Sequence, residues 1–244
     1  MARIAGNLDR IRARIAAACD AARRDPAGVT LLAVSKTVLP DAVLEALACG
    51  QHCFGENYVQ EALAKIRLLC EHAGAESSSA APPRTPIEWH CIGPIQSNKT
   101  RLVAEHFDWV QTIDRLRIAE RLSAQRPAGS APLQVCVQVN IDGGPNKAGA
   151  APEEAEALAQ AVAALPHLQL RGLMTIPEPV PDFAAQRAVH ERARALFERI
   201  AGAGGRGFER FDTLSMGMTA DLEAAIHAGS TMVRVGTGIF GARA

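Results

Sequence analysis

Hydrophobic positions along this chain switch repeatedly between two periods. Ile4, Leu8, Ile11, Ile15 and Cys19 recur at the spacing of one helical face, which predicts an opening amphipathic helix over residues 2–22. Asp25-Pro26-Ala27-Gly28 stops it. Short apolar runs then follow at 29–34, 52–55, 88–93, 109–113, 133–140, 168–176, 213–217 and 232–236, and each reads as a buried strand. Between them, helical patterns run over 42–48, 59–69, 100–106, 115–124, 152–164, 183–201 and 220–228. Asp114 and Thr219 are placed to cap two of these helices. Residues 73–86, with Ser77-Ser78-Ser79 and Pro82-Pro83, predict a flexible loop.

Such alternation implies parallel strands covered by helices. Eight units close naturally into one α/β domain over 1–244, a (β/α)8 TIM barrel. The rival is an open doubly wound sheet, which would carry G-x-G-x-x-G after its first strand. Here that position holds Ser35-Lys36-Thr37.

Composition narrows the function. Hydrophobic residues make up 48% and aromatics only 4%, so the core must be aliphatic and alanine-rich. A net charge of +0 gives no reason to expect nucleic acid or an anionic membrane as partner. No apolar run approaches the roughly 18 residues of a spanning helix. Charges recur from Arg3 through Arg14, unlike an export signal. The six cysteines form no C-x-x-C pair and have apolar neighbours, so buried reduced thiols and a cytoplasmic location are expected. Of 26 basic residues only Lys36, Lys65, Lys99 and Lys147 are lysines, which singles out lysine where arginine would serve.

In a barrel of this kind, chemistry sits at the C-terminal ends of the strands. Those ends offer Lys36, Asn57, His90 to Gly93, Asp114, Asn140, Thr175, Ser215 to Gly217 and Arg234 to Thr237. An amine at the end of a buried strand is partly desolvated, which favours its neutral, nucleophilic form and suits a Schiff base with an aldehyde. The alternative is a lysine that has simply reached solvent at the rim. The loops after strands seven and eight, SMGMT and VRVGTG, stand where this fold binds phosphate. Ser215 offers a hydroxyl, and Gly217, Gly236 and Gly238 allow close backbone approach. Asp221, in the first turn of the following helix, would repel an anion there. Arg234, within an apolar strand, needs an acceptor: a carboxylate across the barrel, or a ligand atom such as a pyridine nitrogen. An amine, a phosphate cradle and a cation beside a ring nitrogen together describe a site for pyridoxal 5′-phosphate (PLP).

AVSKT (33–37), FGENYVQE (54–61), WHCIGPIQSNK (89–99), GLMTI (172–176), LSMGMTAD (214–221) and GSTMVRVGTGIFGAR (229–243) resemble, in order, the YggS/PROSC family of PLP homeostasis proteins. The resemblance implies a monomeric barrel related to the N-terminal domain of alanine racemase. It implies PLP on Lys36, phosphate contacts from Ser215, Met216, Gly236 and Thr237, and Arg234 facing the pyridine nitrogen. Asn57 and His90 fall in family motifs and join Gly217 as expected cofactor contacts. Lys147 stands near where related racemases carry an arginine close to the ring hydroxyl.

PLP enzymes use the ring as an electron sink tuned at its nitrogen, and an arginine there disfavours protonation and weakens the sink. Racemisation also needs a second acid/base, which the related racemases take as a tyrosine from an added domain. This chain's only tyrosine is Tyr58. The expected function is therefore binding, buffering or transfer of PLP, with apo PLP enzymes as transient partners and no robust turnover. The alternatives are a racemase-like PLP enzyme using Tyr58, His90 or Lys147 as base, and an aldolase using Lys36 directly.

Overall fold

The first helix, α1 (Ala2–Ala21), buries Ile4, Leu8, Ile11, Ile15 and Cys19 as one stripe. The structure, a computed structural model, describes residues 2–76, 87–144 and 148–241. A 3-10 turn at Pro26–Gly28, capped by Asp25 through the Ala27 amide at 2.9 Å, ends the α1 segment. Strand and helix then alternate: β1 (Thr30–Val34), α2 (Pro40–Ala48), β2 (Cys53–Glu56), α3 (Val59–Glu76), β3 (Glu88–Cys91) and α4 (Thr100–His106). They continue as β4 (Trp109–Ile113), α5 (Leu116–Gln125), β5 (Leu133–Val139), α6 (Ala155–Ala163), β6 (Leu168–Thr175) and α7 (Phe183–Ala203). The last are β7 (Thr213–Met218), α8 (Leu222–His227), β8 (Met232–Val235) and a short α9 (Thr237–Phe240).

The eight strands form a closed parallel barrel in chain order, β8 pairing with β1 through Leu32↔Arg234 and Ala33↔Val235. The expected (β/α)8 fold is thus the observed one. The core is aliphatic and alanine-rich, as the composition requires. Ala46, Ala62, Ala104, Ala119, Ala159, Ala193 and Ala225 are fully buried on the covering helices, where small side chains let helix and sheet approach closely. On the outside of the barrel, α1 packs between α8 and α2 and against α9: Arg14 pairs with Glu223 at 2.7 Å and Asn7 Nδ2 donates to the Ile239 carbonyl at 2.7 Å.

Several local expectations are corrected. Asp114 does not cap α5; its carboxylate pairs with the Arg115 guanidinium at 2.8 Å, and extended Arg115 takes the cap position. Thr219 does not cap α8, which starts later, behind Asp221. That carboxylate accepts from the Met218 amide at 2.6 Å and pairs with His190 at 2.9 Å. Both bonds hold Asp221 below the usual carboxylate range against the opposing effect of burial. The helix α3 continues to Glu76, so residues 73–76 are helical; 77–86 and Lys147 lie outside the described residues. Cys19, Cys91 and Cys136 are buried as expected, and burial pushes Cys91 and Cys136 up to about 12, but Cys49 and Cys53 are only half-buried and Cys70 is exposed. Among the described residues no helix is long and apolar enough to cross a membrane.

Candidate functional site at the C-terminal mouth of the barrel

The site is built around the exit of β1. Ser35 is fully buried, Lys36 half-buried and Thr37 exposed. Thr37 has φ +61°, a left-handed conformation that costs a β-branched residue roughly 1–2 kcal/mol. The surrounding groups hold it there. Glu61 Oε1 accepts from the Thr37 amide at 2.6 Å, and the Val38 amide donates to the Ser35 carbonyl at 3.0 Å. Beneath the turn, buried Lys65 donates to the Ser35 carbonyl at 2.7 Å and to Glu56 Oε1 at 2.6 Å. The Ser35 hydroxyl donates to the same carboxylate oxygen at 2.6 Å. Burial pushes the Glu56 carboxyl up, against the pull of Lys65 and Ser35. Glu56, Glu61 and Lys65 were missed by sequence reasoning. The signal was there: Lys65 is one of the few lysines, flanked on its helix by buried Ala62, Ile66 and Leu69.

Two contiguous hollows of about 250 and 290 Å³ open at this mouth and share Val34, Lys36, Gly236 and Thr237. The larger is also lined by Asn57, Ile92, Ile176, Met218, Thr219, Ala220 and Arg234. Five of the expected contacts, Lys36, Asn57, Arg234, Gly236 and Thr237, are therefore brought together. Past Gly236 the chain turns into α9, whose first turn leaves the Thr237 and Gly238 amides without acceptors inside the helix, as at any helix start. Asn57 Oδ1 is buried beside the cavity and has no hydrogen-bond partner among the described residues, an acceptor suited to a polar ligand group.

Arg234 lines the cavity from β8 and is 4% exposed. Its Nη1 donates to Ser215 Oγ at 2.6 Å and its Nη2 to the Thr175 carbonyl at 2.8 Å, so neither acceptor is the carboxylate weighed from the sequence. Burial pulls it down to about 10, which still leaves a cation at neutral pH.

The remaining expected residues, Ser215, Met216, Gly217 and His90, do not line the cavity. Ser215 Oγ turns into the barrel and donates to Gln111 Oε1 at 2.7 Å. The Met216 side chain is fully buried in the apolar core. Gly217 has φ +91°, and a Cβ there would collide with Ala225 of α8, so helix packing explains this glycine. In the SMGMT run it is Met218 and Thr219, at and just past the C-terminal end of β7, that reach the cavity. His90 also points inward: fully buried and stacked on Trp109, it bonds Glu88 at 2.8 Å and Gln111 at 3.0 Å.

Gly93, just past β3, sets the position of Asn57. A Cβ on Gly93 would lie 2.7 Å from Asn57 Cα and closer still to its carbonyl oxygen. Backbone then meets backbone, and one must move. Gly93→Ala is expected to lower stability by about 1–3 kcal/mol through overpacking and to shift Asn57 out of the cavity. An unchanged urea midpoint would contradict this.

The comparisons with known proteins agree with this architecture. The family model described as alanine racemase, N-terminal domain, matches residues 6–244. The pyridoxal phosphate homeostasis protein of Pseudomonas aeruginosa is 54% identical over 243 residues, 100% of this chain and 97% of that protein. Its counterpart of the same name in Escherichia coli K12 is 53% identical over 240 residues, 98% and 97% of the two chains. PipY of Synechococcus elongatus, solved with PLP bound, superposes with TM-score 0.80 at 34% identity, over 98% of this chain and 100% of its own. Alanine racemase from Corynebacterium glutamicum, at 17% identity and TM-score 0.66 over 62% of its chain, shares the fold alone. With its closed barrel, its lysine at the end of β1 and identity above one half over full length, this chain belongs to the pyridoxal phosphate homeostasis protein family, within the wider family of the alanine racemase N-terminal domain.

Proposed function

We propose that this protein binds PLP on Lys36 and serves PLP homeostasis, holding and releasing the cofactor without robust turnover of its own. The observation that carries this is the single cavity on which Lys36, Arg234, Gly236 and Thr237 converge. When bound, PLP supplies an aldehyde that condenses with a primary amine and an aromatic ring that can accept electrons. Lys36 is the amine within the cavity. Thr219, Gly236, Thr237 and the start of α9 form the polar wall for the phosphate, with Thr219 in the place first given to Ser215. Arg234 can only donate hydrogen bonds, so a ring nitrogen facing it accepts and stays unprotonated. That limits electron withdrawal by the ring and favours storage over catalysis.

Of the other candidate bases Lys147 lies outside the described residues, and the placement of His90 and Tyr58 supports the same reading. His90 is engaged inside the barrel, and Tyr58, 58% exposed, is not among the residues lining the cavity. Six free thiols suit a reducing compartment, so we extend the reading to a cytoplasmic monomer that hands PLP transiently to apo-enzymes. The test is to add PLP, record the visible spectrum, reduce with borohydride and map the labelled peptide. A yellow protein labelled on Lys36, inert toward amino acids and able to activate an apo-enzyme, is expected. A protein that stays colourless overturns the reading and favours an aldolase; steady amino-acid turnover favours the racemase-like enzyme.

A further inference from the structure

Inside the barrel a chain of side chains runs from the cavity to the opposite mouth. Arg234 Nη1 donates to Ser215 Oγ at 2.6 Å, and Ser215 Oγ donates to Gln111 Oε1 at 2.7 Å. Gln111 Nε2 lies 3.0 Å from His90 Nδ1, and His90 Nε2 lies 2.8 Å from Glu88 Oε1. Strands β4 and β7 are not neighbours, so Gln111 and Ser215 meet only across the barrel interior. Arg234, Ser215, Gln111 and His90 are all buried, while the Glu88 side chain is 43% exposed at the far mouth.

The two ends dictate the polarity of everything between them. A guanidinium only donates, so Ser215 accepts from Arg234 and spends its own proton on the Gln111 carbonyl. The Gln111 amide then donates to His90 Nδ1, which places the imidazole proton on Nε2, facing a carboxylate that only accepts. Turning Gln111 over would aim an imidazole lone pair at the Glu88 carboxylate. The same proton decides a second question. Cys53, Glu88 and His90 bring potential ligand atoms within 4.8 Å of one another, but His90 presents them with an N–H and no lone pair for a metal.

We propose that Gln111 and His90 are positioning residues for Arg234, aligning its guanidinium through Ser215, and that cofactor occupancy at one mouth is felt at His90 near the other. The second half rests on PLP binding as proposed above. The test is ¹⁵N NMR of the histidine rings of the full chain, before and after PLP, with His106, whose Nδ1 bonds the Leu102 carbonyl of its own helix, as control.

In the cofactor-free protein His90 is expected as the Nε2–H tautomer. On saturation with PLP its ring nitrogens shift while those of His106 stay. Gln111→Met, close in size, is expected to lose the His90 response and to weaken PLP binding about tenfold, because the Arg234–Ser215 contact is no longer held. An Nδ1–H tautomer overturns the proposal with or without PLP, and needs no variant. A protein that turns yellow while His90 does not respond, or a Gln111→Met protein that responds like wild type, overturns it too. A protein that never turns yellow refutes the binding reading instead, and the tautomer then decides the chain alone.

Discussion

Lys36→Ala is expected to abolish both the visible band and borohydride labelling, while the folded protein survives. The side chain is half-buried at a strand end, and the turn around it is held by other groups. Ser35 is fixed by Lys65 and Glu56, and Thr37 by Glu61. These bonds do not involve the Lys36 side chain, so the variant should still unfold cooperatively in urea. The cavity wall of Thr219, Arg234, Gly236 and Thr237 remains, so weak non-covalent PLP binding with a free-aldehyde spectrum should persist. Lys36→Arg sharpens the test: it keeps the charge and most of the bulk but supplies no nucleophilic amine. Label recovered on another lysine in either variant would show that the amine had been misassigned.

Lys65→Met should have the largest effect on stability. It strands the Glu56 carboxylate, whose side chain is 0% exposed, with only the Ser35 hydroxyl still donating to Oε1. Breaking a buried pair from one side costs about 3–5 kcal/mol, because the remaining charge stays desolvated. The same change removes the donor to the Ser35 carbonyl, so the left-handed Thr37 turn loosens and PLP affinity falls as well. Urea unfolding reads the first effect and PLP titration the second. Glu56→Gln added to Lys65→Met should recover much of the stability, since removing both charges also removes the uncompensated one. A single-variant loss below about 1 kcal/mol would place the pair with ordinary surface ion pairs.

The barrel was legible because its cause is local and repeated. Each strand announces itself by a short apolar run and each helix by a stripe such as Ile4, Leu8, Ile11 and Ile15; eight such alternations leave few other ways to bury all the faces. Lys36, Gly236 and Thr237 were legible for the same reason, since strand ends follow from strand limits. What the pattern left open was the direction of each side chain near those ends. Ser215 lies within β7 and turns into the barrel, while Thr219, just past the strand's end, lines the cavity, although both hydroxyls belong to one short motif. Glu56 with Lys65, and Gln111 with His90, Ser215 and Arg234, come together from separate elements. Barrel closure sets strand stagger over all eight strands at once, so no local stretch of chain encodes which residues face each other across the interior.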